Sequence, residues 1–179
     1  MPMQSWTAHV NGPGPGVAGT ALANSTTETD ISPIPAIIIP ANMLDYVGAK
    51  LHVIAFGVFS TTATPTLKLS LYPNGQPNNA LATTGAVTTG SAVTNVPWRL
   101  EYTGVIRTIG ASGAIMGQGF CLFGTSVSAA SFLPIPNTAL ATSAVDTTVN
   151  NKITAAALWG TASASNTITC HDLTVLSLC

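Results

Sequence analysis

Apolar and polar residues alternate in several short runs of this 179-residue chain. In Thr66–Tyr72, three leucines fall on one side and Lys68 and Ser70 on the other, and Trp98–Tyr102 repeats the pattern. A period of two places successive side chains on opposite faces of a β-strand. The strong helix formers Glu, Lys, Gln and Arg are rare, whereas Thr, Val and Gly are abundant. The sequence therefore predicts an all-β fold.

Turn residues separate these runs. Pro73–Gly75 is a turn tripeptide, and glycine-rich segments lie at 110–113 and 160–165. Proline, asparagine and glycine supply the backbone angles that tight turns require. Strands that recur with short connections are typical of a sandwich or a barrel. We therefore expect one domain, an antiparallel β-sandwich.

The first 35 residues are predicted to form an extended arm, and residues 36–179 the sandwich domain. Asn11–Gly16 alternates glycine with proline, which opposes both a helix and a strand ladder. Prolines also bracket the apolar run Ala36–Ile39, which we interpret as an edge strand or an extended strap. Two alternatives remain open for the arm. It reaches a neighbouring subunit, or it lies on its own domain as an irregular N-terminus.

The run Leu51–Phe59 is apolar on both of its faces. In a two-sheet antiparallel fold, the outer face of a strand is usually polar and solvated. A strand with two apolar faces is either covered on both sides or lies at a subunit interface. The candidate interface residues are its even-numbered face and the isoleucine run before it: Ile37, Ile38, Ile39, His52, Ile54, Phe56 and Val58.

Charged residues make up only 6% of the chain, against roughly a quarter in an ordinary soluble domain. A surface of hydroxyls, amides and methyl groups can pack against other proteins at little desolvation cost. The five basic residues are scattered, so we expect neither a nucleic-acid partner nor a membrane partner. No apolar run approaches the length of a membrane-spanning helix, and no secretory signal is expected. The composition favours a subunit that contacts its neighbours.

No group of residues indicates an enzyme. The three histidines have no partner at metal-ligand spacing. His171 and Asp172 are the only neighbouring histidine and carboxylate, and on a strand they point to opposite faces unless a bulge intervenes. Glu28 and Asp30 are the two acids closest to each other in the sequence. The stretch that contains them is interpreted as a solvated turn or a weak cation site. We expect no catalytic residue, no metal ligand and no cofactor.

The cysteines and a pair of glycines are interpreted as packing residues. Cys121, Cys170 and Cys179 are odd in number and lack metal-ligand spacing, so buried thiols in a reducing compartment are expected. A disulfide between Cys121 and Cys170 is the alternative. Gly117 and Gly119 do not form a dinucleotide-binding motif. They are predicted to let another backbone or an aromatic ring pack closely.

The stretch Trp98–Gly119 resembles a pattern in structural proteins of tailed bacteriophages. There, a strand ending in Arg-Thr-x-Gly, here Arg107–Gly110, leads through Ser-Gly into a second strand with Gly-x-Gly, here Gly117–Gly119. The closing stretch Ala157–Val175 is similar to the last two strands of those proteins. Together these stretches cover about the C-terminal half of the chain.

The resemblance implies a jelly-roll sandwich that assembles as a homotrimer. It also implies a structural virion protein, assembled in the host cytoplasm, that binds the major capsid protein or other virion proteins. The first expectation is a capsid decoration or cement subunit. The alternative is a tail or fibre-tip subunit that binds a host-surface carbohydrate. Its candidate sugar-binding residues are Trp6, Trp98, Trp159, Tyr72 and Asn74, although Trp98 and Trp159 are expected to lie in the core.

Overall fold

The computed structural model describes residues 7–9, 16–74, 79–126 and 128–178, and these residues contain strands and turns but no helix. The strands are β1 (Thr7–His9), β2 (Leu22–Ala23), β3 (Thr29–Asp30), β4 (Ile37–Ile39), β5 (Lys50–Ser60), β6 (Thr66–Tyr72), β7 (Ala82–Thr83), β8 (Val87–Thr88), β9 (Val96–Thr108), β10 (Ala114–Ser126), β11 (Ala129–Ile135), β12 (Thr142–Ala144), β13 (Asn151–Trp159) and β14 (Thr167–Leu178).

Two antiparallel sheets form a sandwich. The larger sheet has the order β1-β14-β5-β9-β10-β11, with β2 paired to β14 and β12 to β10. The smaller sheet has the order β3-β13-β6-β7, with β4 paired to β13 and β8 to β6. The chain crosses between the sheets repeatedly, at β2–β3, β4–β5, β5–β6, β8–β9, β12–β13 and β13–β14. The predicted all-β antiparallel sandwich is confirmed, and its jelly-roll subtype stays a prediction.

The core lies between the sheets and is filled by the inward residues of the alternating runs. Phe59 stacks on Phe123 with ring centroids 4.9 Å apart, and Trp159 meets Phe59 edge-on at 6.4 Å. Both sheets also contribute buried residues that the alternation predicted to face inward: Leu67, Leu69, Leu71, Trp98, Leu100 and Tyr102. Burial of each large apolar side chain stabilises the fold by about 1.5–3 kcal/mol.

The described part of the N-terminal arm lies on its own domain. Strand β1 pairs with β14, β2 also pairs with β14, and β3 pairs with β13. The amide of Gly19 donates to the carbonyl of Cys170 at 2.9 Å, and Ile31 is fully buried in the core. These contacts agree with the second alternative for the arm. The glycine-proline run at 11–15 lies outside the described residues, and the boundary at residue 35 stays a prediction.

Glycines of β10 permit close packing, as the sequence predicts. A Cβ atom on Gly117 would overlap the Tyr102 ring, which fills the core behind β10. A Cβ atom on Gly119 would overlap the backbone carbonyl of Glu101 on the neighbouring strand β9. One glycine therefore makes room for an aromatic ring and the other for a backbone.

Two cysteines are buried on different strands and remain free thiols. Cys121 lies on β10 and Cys170 on β14, and no disulfide joins them, so that alternative is wrong. Burial raises the pKa of each thiol to about 12. Cys179 lies outside the described residues.

We expect Cys121 and Cys170 to resist alkylation in the folded protein. At pH 8, a thiol with a pKa near 12 is ionised in about one molecule in ten thousand, and only the thiolate reacts readily. Treatment with iodoacetamide, followed by peptide mass spectrometry, should leave both residues unmodified until urea unfolds the chain. Complete modification of either residue under native conditions would contradict the burial seen here.

Candidate binding surface

The outer face of strand β5 is apolar and uncovered by the described residues. Its odd-numbered side chains fill the core, whereas the even-numbered His52, Ile54, Phe56 and Val58 point away from the smaller sheet. Phe56 is 45% exposed, and the other three are partly exposed. We call these four residues the β5 face. The strand is central within its sheet, between β14 and β9, so the face lies in the middle of a broad outer surface.

Charged and polar groups on β9 run alongside the β5 face. Arg99 lies opposite Phe56, Glu101 opposite Ile54 and Thr103 opposite His52. The guanidinium of Arg99 donates to the Glu101 carboxylate at 3.1 Å, and His52 Nε2 lies 3.6 Å from the same carboxylate. His52 Nδ1 and the Thr103 hydroxyl are hydrogen-bonded at 2.8 Å. The Glu101 carboxylate is therefore held between Arg99 and His52.

Polar residues of β14 border the β5 face on its other side. Asp172 lies opposite Phe56, and Thr174 lies opposite Ile54. A bulge between Cys170 and Asp172 shifts the register, which is the condition under which His171 and Asp172 can both face outward. The Asp172 carboxylate accepts a hydrogen bond from the Thr174 hydroxyl at 2.9 Å. The apolar residues of β5 thus lie between two rows of polar groups.

The isoleucine run divides between the core and the surface. Strand β4 pairs with β13, and this register buries Ile37 and Ile39 within the chain's own core. Ile38 is 39% exposed, so it is the residue of this run whose side chain a partner can reach. Of the seven candidate interface residues, Ile38 and the β5 face therefore lie at the surface.

Two stacked phenylalanines form a second outward feature that the sequence analysis missed. Phe120 on β10 and Phe132 on β11 stack with ring centroids 4.5 Å apart and planes inclined by 20°. Phe132 is 67% exposed. The rings line a shallow cleft of about 330 Å³ together with Glu101, Thr103, Gln118 and Gly119. The sequence contains a signal for this pair of rings. The large side chains of Gln118, Phe120 and Leu122 occupy even-numbered positions of β10, and smaller residues occupy the positions between them.

Most of the aromatic residues first considered for sugar binding are buried. Trp98, Trp159 and Tyr72 lie in the interior of the fold or beneath other side chains. Asn74 is exposed, and Trp6 lies outside the described residues. The exposed aromatic surface of the larger sheet is supplied by phenylalanines instead.

The two acids closest in sequence, Glu28 and Asp30, pair with two different lysines of the smaller sheet. Lys68 donates to Glu28 at 2.9 Å, and Lys152 donates to Asp30 at 2.6 Å. Each carboxylate therefore belongs to a separate ion pair. Within the described ranges, no group of three or more histidines, cysteines and acids could hold a metal ion. No helix in the same ranges is long and apolar enough to cross a membrane.

Comparisons with known proteins give no family assignment. No family model matches the chain, and no curated protein matches it. Among solved structures, it is similar to the CBM2 module of the evolved Dit protein of Lactobacillus casei BL23 phage J-1, with 13% identity and a TM-score of 0.32. The match covers 79% of this chain and 67% of that chain. A likeness of this size assigns neither a family nor an activity, so the functional argument rests on the surface described above.

Proposed function

We propose that this chain is a structural virion subunit of a bacteriophage, specifically a decoration subunit that binds the capsid and has no enzymatic activity. The observation that carries the proposal is the uncovered β5 face, in a chain of which only 6% is charged. The outer face of an antiparallel sheet is ordinarily polar. Phe56 is 45% exposed, so burial of its remaining surface would favour association by about 1 kcal/mol, and burial of Ile54 would add to this.

A second copy of the same chain is the partner that best fits the β5 face. Its surface is equally poor in charge, so it can cover apolar side chains without removing many ions from water. Of the charges next to the face, Arg99 and Glu101 already pair with each other, and the Asp172 carboxylate accepts a hydrogen bond from Thr174. The resemblance of residues 98–119 to phage structural proteins implies three copies in the assembly.

The capsid would contact a different surface, at one end of the sandwich. Three loops meet there: the amide of Asn42 donates to the Thr147 carbonyl at 2.8 Å, and the amide of Thr147 donates to the Gly110 carbonyl at 3.1 Å. These loops carry four exposed apolar residues that we call the end patch: Tyr46, Val47, Ile109 and Val149. A trimer would present three end patches, and attachment at three points raises the overall affinity through high effective concentration.

Immunogold labelling of purified virions tests the location. Antibodies raised against this chain should label the whole capsid surface of the phage that encodes it. Gold confined to the tail or fibre tip would overturn the capsid assignment and leave the tail alternative. Absence of label, combined with absence of the chain from the virion proteins identified by mass spectrometry, would overturn the virion assignment itself.

A further inference from the structure

An elongated groove crosses the outer surface of strands β9 and β10. It joins the cleft beside Phe120 and Phe132, which we call the aromatic cleft, to a neighbouring cleft of about 390 Å³. The two clefts share Thr103 and Gln118 as lining residues, so they are continuous. A long, shallow and open groove suits a chain of several linked units better than a compact ligand, which an enclosed pocket would hold.

The aromatic cleft offers a rigid ring face. Phe132 is fixed by its stacking on Phe120 and still exposes two thirds of its side chain. A pyranose sugar has one face made of C–H groups, which packs on an aromatic ring, and an edge of hydroxyl groups, which requires hydrogen-bonding partners. The phenylalanines can supply the first of these contacts.

Polar side chains next to the rings can form hydrogen bonds with the hydroxyl groups of the sugar. Glu101 lies opposite Phe120, and Thr103 lies opposite Gln118, so a carboxylate, a hydroxyl and an amide occupy adjacent outward positions. Directly opposed side chains on neighbouring strands are about 5 Å apart. A sugar hydroxyl both donates and accepts hydrogen bonds, and these three groups together provide acceptors and donors. The contacts of Glu101 with Arg99 and His52 fix its carboxylate before any ligand arrives.

The second cleft is basic and is therefore called the basic cleft. It is lined by Lys50 and Arg107, and no carboxylate lines it. Of the five basic residues in the chain, the other three form ion pairs with acids: Lys68, Arg99 and Lys152. The two cations without an ion pair among the described residues thus face the same end of one groove. In a chain with so few charges, this placement favours an anionic group at that end.

We propose that this groove binds an acidic oligosaccharide. A sugar ring stacks on Phe120 and Phe132, its hydroxyls bond with Glu101, Thr103 and Gln118, and the carboxylate of an adjoining acidic sugar pairs with Lys50 and Arg107. A nucleic acid fits less well, because its phosphates would meet the Glu101 carboxylate beside the rings. This function goes beyond attachment to the capsid and does not depend on it. It would allow a virion to hold to a host coated with acidic polysaccharide.

The groove adjoins the β5 face and extends away from it: Lys50 of the basic cleft lies on β5, and Glu101 and Thr103 lie opposite Ile54 and His52. The aromatic cleft begins at β9 and extends to β11, and strand spacing places β11 about 14 Å from β5. Phe132→Ala removes the exposed ring at the end of the groove farthest from β5. Lys152→Gln, on β13 of the smaller sheet, changes neither surface and serves as the control.

The test uses an array of immobilised oligosaccharides and then fluorescence anisotropy. The array carries galacturonic acid tetramers, alginate tetramers, glycans ending in N-acetylneuraminic acid, and the same glycans with their carboxyl groups reduced to alcohols. Single-stranded DNA of eight nucleotides is included as a competing polyanion. We expect binding to at least one acidic glycan, weakened about tenfold or more by carboxyl reduction and weakened by salt.

Substitutions test whether the glycan binds in this groove. Phe132→Ala and Arg107→Gln should each weaken binding about tenfold, whereas Lys152→Gln should leave it unchanged. Thermal melts confirm that every variant is folded. Failure to bind any acidic glycan, equal affinity for the reduced glycans, preference for the DNA, or binding that survives both groove substitutions would overturn the proposal. None of these results bears on the oligomeric mass, which tests the β5 face separately.

Discussion

Replacing Phe56 with arginine is expected to convert the proposed trimer into a monomer of 18.1 kDa. Phe56 lies at the middle of the β5 face and is 45% exposed, so an arginine there extends into water in the isolated chain. In the assembly, the same arginine would be buried against a partner, between Arg99 on β9 and Asp172 on β14. Loss of a central aromatic contact costs about 2 kcal/mol or more, and removal of the guanidinium from water adds to that cost.

Phe132→Arg provides the matched control for this substitution. It places the same charge on a phenylalanine of the same sheet that is more accessible than Phe56, but on β11 rather than on β5. Size-exclusion chromatography with light scattering should report the assembled mass for Phe132→Arg and the monomer mass for Phe56→Arg. An assembled mass for Phe56→Arg would show that copies associate through some other surface.

Replacing Gly119 with alanine is expected to destabilise the fold severely. The new Cβ atom would overlap the carbonyl oxygen of Glu101, and a backbone atom in a central strand cannot move aside as a flexible side chain can. Strands β9 and β10 would have to separate at that position. Overpacking of this kind costs about 3 kcal/mol, which lowers the melting temperature of a chain of this size by roughly 6–12 °C.

Gly16→Ala is the control for Gly119→Ala, because a Cβ atom at residue 16 would meet no atom within 4 Å. Thermal unfolding followed by circular dichroism should give that variant the melting temperature of the unchanged protein within about 2 °C. An unchanged melting temperature for Gly119→Ala would contradict the close approach of β9 and β10.

Local patterns were sufficient to predict several of the longer strands, but not the short strands or β11. The alternation in Thr66–Tyr72 and Trp98–Tyr102 identified β6 and part of β9, because one face of each strand is buried and the other is less so. The two apolar faces of Leu51–Phe59 also indicated a surface in need of a partner, and the structure leaves one of those faces uncovered. These features depend on side-chain direction within a single strand.

Features that depend on strand register could not be predicted from the sequence. The stacking of Phe120 on Phe132 requires the pairing of β10 with β11, which no local pattern specifies. Likewise, three consecutive isoleucines do not reveal which of them face the core. The pairing of β4 with β13 decides that Ile38 points outward. The ion pair between Lys152 and Asp30 joins residues 122 positions apart, so their proximity was also hidden.

The same register explains why the groove was missed. Lys50 and Arg107 appear as isolated charges in the sequence, separated by more than fifty residues. Pairing of β5 with β9 places Lys50 opposite Val105, two residues before Arg107. A count of charges indicated that the chain has few of them, but only the sheet shows that two cations converge at one end of the outer surface.

The solution mass of the unmodified protein tests the central claim most directly. Light scattering coupled to size-exclusion chromatography, over a range of loading concentrations, gives the mass without reference to shape. The account predicts a species of three times the 18.1 kDa chain mass. A mass of 18.1 kDa at every concentration would contradict it, because the apolar β5 face would then remain exposed to water without a second copy to cover it.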